Sequence, residues 1–175
     1  MKICGIDTGL KGAIAVIDEI KSWSLDSGMS SENRVSVLDT PIMATGKGKN
    51  EYDIPAMRDL LIEINPTIVF LERSQPMPGQ GVVSMWSTGL GFGIWKGLII
   101  GLKLPLQVVH TRTWQKALFE GFRGDTKDIS YQIASSLFPG VANDLKGPKG
   151  GLKDGRCDAL LIAEYGRRIY KGDSK

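Results

Sequence analysis

The order in which strand-type and helix-type segments follow one another constrains the fold of this chain most. Three short apolar or alternating runs come first, and two further runs then alternate with segments of helical spacing. The strands are predicted at residues 2–7, 11–17, 34–39, 67–72 and 106–109, and the helices at 54–64, 82–102, 111–120, 126–138 and 155–170. A glycine-containing turn joins the first two strands into a hairpin. This order predicts an α/β fold with a mixed five-stranded sheet flanked by helices.

The remaining segments and the composition indicate one globular domain. Residues 45–50 and 143–153 are rich in glycine and lysine, have no periodicity and are predicted to be loops. No internal repeat or second domain boundary occurs in the 175 residues, of which 42% are hydrophobic and 23% are charged. These values are typical of a globular protein that buries a substantial core.

Two classes of protein are disfavoured by what the sequence contains. Lys96 and Lys103 interrupt the longest apolar stretch, so that no segment of membrane-spanning length is predicted. Cys4 and Cys157 are the two cysteines, and both fall within predicted regular structure beside acidic residues. A disulfide framework is therefore not expected, and the chain is predicted to be cytoplasmic, without a membrane partner.

Four carboxylates stand at positions where distant segments can bring them together. Asp7 and Glu72 each end an apolar strand, while Asp154 and Asp158 stand at the start of the last helical segment. Acids at the carboxyl ends of strands face the crevice at the sheet edge, and several of them together make a strongly negative site that needs a hard cation. Other acids, such as Asp18 and Glu164, are interpreted as ordinary surface carboxylates.

The same residue types fit hydrolysis of a phosphodiester. This reaction needs a hydroxide in line with the leaving oxygen and neutralisation of charge on both sides of the phosphorus, which two Mg²⁺ ions about 3.5–4 Å apart can supply. Mg²⁺ prefers carboxylate oxygens. Asp7, in the central strand, is the best candidate to bridge two ions, with Glu72 and the pair Asp154 and Asp158 completing their shells. Mn²⁺ is predicted to be able to substitute.

A cluster of basic residues precedes the last two acids and predicts contact with DNA. The formal charge is only +3, so this prediction depends on where the cations lie. Lys146, Lys149, Lys153 and Arg156 precede or flank the closing acids, where they could draw a phosphate backbone into the site. A solvated lysine-rich surface is the alternative. Met77, in a loop stiffened by two prolines after Glu72, could act as a wedge at the bases or pack into the core.

Three of these motifs together resemble one protein family. Residues 3–9 (ICGIDTG) resemble the opening strand of the RuvC-like Holliday junction resolvases, residues 70–73 (FLER) their second acidic strand end, and residues 153–163 (KDGRCDALLIA) their closing acidic helix. The likeness covers nearly the whole chain, and the form of the last motif is similar to the divergent, phage-type branch. The resemblance implies a ribonuclease H-like fold and a single RuvC-like nuclease domain over residues 1–175. The chain would then act in the host cytoplasm if it is phage-borne.

The function that the resemblance implies is Mg²⁺-dependent cutting of four-way DNA junctions by symmetric incisions. Asp7, Glu72, Asp154 and Asp158 would be the metal ligands, and Met77 would lie against the bases at the branch point. One departure from the family pattern matters. In many members the paired acids are three residues apart, whereas Gly155 occupies that position here and Asp154 lies four residues before Asp158. The pair can face one site if the helix begins by Asp154, but not if Asp154 belongs to the loop.

The helix at 82–102 carries a row of glycines with an aromatic residue beside it. Gly89, Gly93 and Gly97 recur every four residues, and Trp86 precedes them. Glycine inside a helix costs roughly 1 kcal/mol relative to alanine, so close contact with another element is the expected compensation. That contact could be with the chain's own sheet or with a second subunit. The resemblance implies a homodimer, whose two-fold symmetry matches a four-way junction.

Three other functions are compatible with parts of the sequence. A ribonuclease H-like nuclease for other branched or hybrid substrates would use the same carboxylates, and a non-catalytic DNA-binding relative would share the fold. The turn at Asp7-Thr8-Gly9, followed by Lys11-Gly12, also resembles the phosphate-binding hairpin of actin-like sugar-kinase ATPases. Those proteins need two lobes, and 175 residues are too few to supply both.

Overall fold

The computed structural model describes residues 1–24, 28–46, 48–73, 75, 79 and 81–172, so that Met77 and Lys47 lie outside the described residues. Seven strands and five α-helices are present in the described ranges, together with a short 3-10 turn. The strands are β1 (Lys2–Ile6), β2 (Ala13–Ser24), β3 (Gly28–Asp39), β4 (Ile42–Thr45), β5 (Lys49–Tyr52), β6 (Ile68–Arg73) and β7 (Leu106–His110). The helices are α1 (Ile54–Ile64), α2 (Val82–Gly101), α3 (Thr111–Leu118), α4 (Thr126–Leu137) and α5 (Asp154–Lys171), and the 3-10 turn is Pro139–Val141.

The main sheet confirms the predicted mixed arrangement of five strands. Its order is β3-β2-β1-β6-β7. β1 pairs antiparallel with β2 and parallel with β6, and β6 pairs parallel with β7. Two antiparallel pairings in succession make β3 run in the same direction as β1. The carboxyl ends of β1, β3, β6 and β7 therefore lie at one edge of the sheet.

Alternation along β1 distributes side chains to two separate cores. Ile3 packs with residues of α3, α4 and α5 on one face, including Trp114 and Leu160. Cys4 and Ile6 face the other side, where α1 and α2 cover the sheet. Period-two alternation in a strand that is buried on both faces explains this division. The sheet is thus a central layer between two helical layers.

The approach of α5 to the sheet is unusually close because glycine stands at the crossing point. A Cβ at Gly5 would lie 2.9 Å from the Cα of Ala163 and would also collide with the carbonyl oxygen of Ala159. The absence of a side chain at Gly5 lets the backbone of α5 rest directly on β1. The helix that carries the last two acids is therefore held against the strand that leads to Asp7.

Two predictions about local structure were wrong. Both ends of the predicted loop at 45–50 belong to a second, two-stranded sheet, in which Ile42 pairs with Tyr52 and Thr45 with Lys49. β2 and β3 are also 12 residues each, longer than the predicted strands. In both places the added strand residues are mostly polar, so the alternation of apolar residues that identifies a half-buried strand is missing. Pairing to Ser24↔Gly28 extends the β2–β3 hairpin beyond β1.

The two cysteines and the lengths of the helices bear on disulfide bonding and membrane insertion. Cys4 and Cys157 are both buried and free of disulfides. Within the described ranges no helix combines the length and apolar character needed to cross a membrane.

Candidate active site

The four predicted acids are brought to one edge of the sheet by two strands and one helix. Ile6 pairs with Leu71, so the parallel register places the next residues, Asp7 and Glu72, side by side at the strand ends. α5 begins at Asp154, which places Asp154 and Asp158 one turn apart on a helix packed on β1. The alternative that Asp154 belongs to the preceding loop is therefore wrong.

The pKa values of Asp7 and Asp158 indicate that the charges of the four carboxylates act on one another. Burial raises the pKa of Asp7 from 3.8 to about 7, with further contributions from the charges of Glu72 and Asp154 and an opposing hydrogen bond from the backbone N–H of Gly9. Burial likewise raises the pKa of Asp158 from 3.8 to about 7, and the charges of Asp7, Glu72 and Asp154 add to it. Mutually repelling, partly buried carboxylates bear a free-energy cost that a bound cation would remove.

The donor set fits magnesium by its chemistry. All four groups are carboxylates, the ligand type that Mg²⁺ and Mn²⁺ prefer. Across the described part of the chain, no three His, Cys, Asp or Glu side chains are already set to hold a metal ion. Binding would therefore require the carboxylates to adjust their side-chain torsions toward the ion.

Three residues that sequence reasoning did not assign to the site hold the acids in place. The indole Nε1 of Trp114, in α3, donates to Glu72 Oε1 at 2.9 Å. The hydroxyl of Ser130, in α4, donates to Asp158 Oδ1 at 2.8 Å. The ammonium of Lys127, at the start of α4, lies 2.6 Å from Asp154 Oδ2. Trp114 and Ser130 are buried and carry no local motif, so only the packing of α3 and α4 beside the site identifies them.

Gly155 explains why this chain departs from the three-residue spacing. A Cβ at Gly155 would lie 2.7 Å from the Cα of Gly12 and 2.9 Å from Asp7 Oδ2, and would collide with the carbonyl oxygen of Lys11. The first turn of α5 thus rests directly on the turn between β1 and β2. An aspartate at position 155 could not be placed there without moving the helix.

The predicted DNA-binding cluster is divided by the fold. Lys153 Nζ and Arg156 Nε donate to the two carboxylate oxygens of Asp39, at 3.1 and 2.7 Å. The Arg156 guanidinium and the Lys153 ammonium together hold the pKa of Asp39 below its usual value, against an opposing effect of burial. Lys146 lies over the ring of Tyr131, with Nζ 4.9 Å from the ring centroid. Lys149 is exposed, and its side chain has no ion pair among the described residues.

The glycine row of α2 faces outward. A Cβ at Gly89, Gly93 or Gly97 would meet no described atom within 4 Å, whereas one at Gly91 would collide with the Tyr52 hydroxyl and the carbonyl oxygen of Thr8. The alternative that the row packs on the chain's own sheet is therefore wrong. The row borders an open apolar groove of about 470 Å³, which is lined by Met85, Trp86, Gly89, Leu90, Gly93 and Ile94.

Known proteins are similar to part of this chain in sequence and to its full length in structure. No protein-family model matches the chain. The chain is 36% identical over 101 residues to the chloroplastic Holliday junction resolvase MOC1 of Chlamydomonas reinhardtii, a match that covers 55% of this chain and 10% of that protein. The chain thus spans about a tenth of that relative's length.

Two solved structures have a fold similar to that of this chain. RuvC of Thermus thermophilus in complex with a Holliday junction substrate superposes with a TM-score of 0.56 at 12% identity, over 100% of this chain and 99% of RuvC. The yeast mitochondrial Holliday junction resolvase Ydc2 gives a TM-score of 0.54 at 17% identity, over 94% of this chain and 77% of Ydc2. By sequence the chain is a partial homologue of a Holliday junction resolvase, and by structure it has the ribonuclease H-like fold of RuvC.

Proposed function

We propose that this chain is a Mg²⁺-dependent endonuclease that cuts four-way DNA junctions by two-metal hydrolysis with symmetric incisions. The observation that supports this most is the convergence of Asp7, Glu72, Asp154 and Asp158 on one edge of the sheet. Burial, together with their mutual repulsion, raises the pKa of Asp7 and of Asp158. A cluster of this kind has no evident structural use, because it opposes folding at neutral pH unless a cation binds. The partial homology to a junction resolvase favours the same reaction.

The four acids share one role in this proposal. Asp7, Glu72, Asp154 and Asp158 would together hold the Mg²⁺ ions. The bound ions would supply a hydroxide nucleophile at neutral pH and stabilise charge on the attacking and leaving oxygens. Trp114 and Ser130 orient Glu72 and Asp158 through the hydrogen bonds described above, as outer-shell partners do in metal sites. Mn²⁺ would be accepted because it prefers the same oxygen ligands.

The DNA would approach across the cations that border the acids. Lys149 is free to meet a phosphate, and Lys127 keeps its side chain 65% exposed while it contacts Asp154. Lys146 stacks on Tyr131 but is exposed. Lys153 and Arg156 border the site. To contact DNA, they would have to bind a phosphate in addition to Asp39 or in its place. Met77, which is outside the described residues, would lie at the branch point of the DNA.

The salt dependence of binding tests the role of Lys149. Lys149→Gln is expected to weaken junction binding and to reduce the slope of log affinity against log salt by about 0.9, the contribution of one phosphate contact. Lys21→Gln is the matched control, because Lys21 is exposed on β2 beyond its pairing with β1 and far from the acids. An unchanged slope for Lys149→Gln would indicate that Lys149 is a solvated surface residue that does not contact DNA.

We further propose that two copies of the chain associate through the glycine face of α2. Trp86 is 71% exposed and Leu90 is 42% exposed on this face, and glycines let a second backbone approach closely. Apolar side chains of this size are costly to leave in water. A two-fold dimer would present two identical sites to a junction that is itself approximately two-fold symmetric.

The dimer proposal predicts a selective effect of bulk at Gly93. Gly93→Leu should shift the protein toward monomer in sedimentation and reduce paired incision more than single nicking. Unfolding would not explain this result, since leucine favours a helix over glycine by roughly 0.8–1 kcal/mol. Gly101→Leu is the control, because Gly101 lies at the other end of α2 and a Cβ there would also meet no described atom within 4 Å. A dimer that survives Gly93→Leu unchanged would place the interface elsewhere.

The activity is tested by cleavage of a synthetic four-way junction beside duplex, flap and RNA–DNA hybrid substrates, with and without Mg²⁺. Preferential cutting of the junction at two symmetric positions is the expected result. Preferential cutting of the flap or hybrid would favour the ribonuclease H-like alternative. Binding without any cutting in Mg²⁺ or Mn²⁺ would favour the non-catalytic one. A cytoplasmic location stays a prediction, since the Chlamydomonas relative is chloroplastic by its name.

A further inference from the structure

Asp39 is a third strand-end acid at the same edge as Asp7 and Glu72, but it has a different environment. Ala13, the first residue of β2, accepts a hydrogen bond from the backbone N–H of Asp7 and pairs on its other side with Asp39. Asp39 therefore lies two strands away from Asp7, at a distance of about 10 Å from strand spacing. Both of its carboxylate oxygens accept hydrogen bonds from cations of the opposing helix start. The charge of Asp39 is thus paired with cations of the protein itself.

The cations that Asp39 binds stand on either side of Asp154 in the sequence. Lys153 is the N-cap of α5 and has no side-chain capping hydrogen bond, and Arg156 lies in the first turn. Positive charge at a helix N-terminus is unfavourable because the unpaired N–H groups there are already electropositive. Asp39 offsets this repulsion, so that the helix can begin at Asp154 despite two adjacent cations.

The same contacts connect three segments around the helix start. Arg156 Nη1 also donates to the carbonyl oxygen of Asp144 at 2.6 Å, and the backbone N–H of Lys153 donates to the carbonyl oxygen of Leu145 at 2.9 Å. On the opposite side, Gly155 rests on the turn at Gly12. The first turn of α5 is therefore held from one side by the end of β3 and from the other by the turn after β1.

We propose that Asp39 is a positioning residue for the metal-binding carboxylates of α5. Through Lys153 and Arg156 it fixes the first turn of the helix, and hence the placement of Asp154 and Asp158 relative to Asp7. This inference rests on the proposed function, since it assigns Asp39 to the same site. It also gives Lys153 and Arg156 a role within the protein, beside the proposed contact with DNA.

The test is Asp39→Asn, which keeps the size of the side chain but removes the charge. The Mg²⁺ concentration for half-maximal junction cleavage should rise by about 10-fold, the lower end of what outer-shell partners contribute. The maximal rate should fall, while the KM for the junction should not rise, because one negative charge near the DNA is lost. A purely stabilising role would lower the unfolding temperature without changing the Mg²⁺ dependence of the folded protein. Asp39→Glu, which keeps the charge, should recover most of the activity.

Two further variants check the route through Arg156. Arg156→Gln should reproduce the shift in Mg²⁺ dependence, and its effect should be less than additive with that of Asp39→Asn, because both changes remove the contact between Asp39 and Arg156. Asp59→Asn is the control, since Asp59 pairs with Arg58 on the exposed side of α1. Wild-type Mg²⁺ dependence in Asp39→Asn, or a change in KM alone, would overturn the inference.

A readout without cleavage separates this inference from the proposed function. Hydrogen exchange of peptides that cover residues 154–158 should accelerate in Asp39→Asn, while peptides over residues 163–170 should be unchanged. The latter part of α5 is held separately by ion pairs of Arg167 and Arg168 with Glu164. If the wild type cuts no substrate, the proposed function fails, and unchanged exchange at 154–158 would independently reject the positioning role.

Discussion

Asp7→Asn is expected to abolish Mg²⁺-dependent cleavage and at the same time to stabilise the ion-free protein at neutral pH. Cleavage should fall by more than about 100-fold, because the change removes a proposed metal-binding carboxylate and outer-shell partners alone can contribute that much. Stability should rise because one of four mutually repelling charges is lost from a buried position. Opposite effects on activity and stability distinguish a ligand from a residue that supports the fold.

The pH dependence of this gain follows from the sign of the shift. The pKa of Asp7 rises from 3.8 to about 7 on folding, so the folded state disfavours the ionised form. As the pH rises, the Asp7 carboxyl therefore loses its proton at a lower pH in the unfolded chain than in the folded protein. The stability that Asp7 contributes is highest at low pH and is lost as the pH rises from about 4 to 7. Asp7→Asn should leave the unfolding temperature unchanged near pH 4 and raise it near pH 8, by about 2–4 °C for each kcal/mol regained.

Thermal unfolding of wild type and variant, with and without Mg²⁺, measures both effects. Mg²⁺ should stabilise the wild type near pH 8 and have little effect on Asp7→Asn, since a ligand stabilises only the state that binds it. Asp59→Asn, at an exposed carboxylate on α1, should behave as the wild type. Normal cleavage by Asp7→Asn, or a lower unfolding temperature near pH 8, would contradict the assignment of Asp7 as a metal ligand.

Gly155→Ala is expected to cause the second large effect through one added methyl group. The new Cβ would lie 2.7 Å from the Cα of Gly12 and 2.9 Å from Asp7 Oδ2, and would collide with the carbonyl oxygen of Lys11. The atoms of Gly12 and Lys11 belong to the backbone and cannot rotate away. Overpacking of this kind costs about 1–3 kcal/mol. The displaced helix start would carry Asp154 away from Asp7, and a shift of 1 Å in a catalytic group can cost about 100-fold in rate.

Chemical denaturation and single-turnover cleavage would measure the two consequences of Gly155→Ala. Intrinsic propensity points the other way, because alanine favours a helix over glycine by roughly 1 kcal/mol. A loss of stability would therefore reflect the contact with the turn. Gly151→Ala, where a Cβ would meet no described atom within 4 Å, is the matched control. Wild-type stability and rate in Gly155→Ala would show that α5 can shift without cost to the site.

The sequence alone was sufficient to predict the sheet and the positions of its strand-end acids. Apolar runs that end in Asp7 and Glu72 have a periodicity that depends only on local residue order, and parallel pairing then places such ends at one edge. The four-residue spacing of Asp154 and Asp158 likewise predicts a shared helix face, provided the helix starts at Asp154. These features depend on residues that are close together in the chain, and for that reason they can be predicted from the sequence.

Only the tertiary structure decided which residues surround those acids. Trp114 and Ser130 reach Glu72 and Asp158 because α3 and α4 pack beside them, and this contact between distant segments leaves no local pattern. Lys153 and Arg156 were predicted from their clustering to face DNA, yet they bind Asp39, which lies more than 100 residues earlier in the chain. A charged side chain binds whichever opposite charge the fold brings near, so its partner is determined by packing across the whole chain.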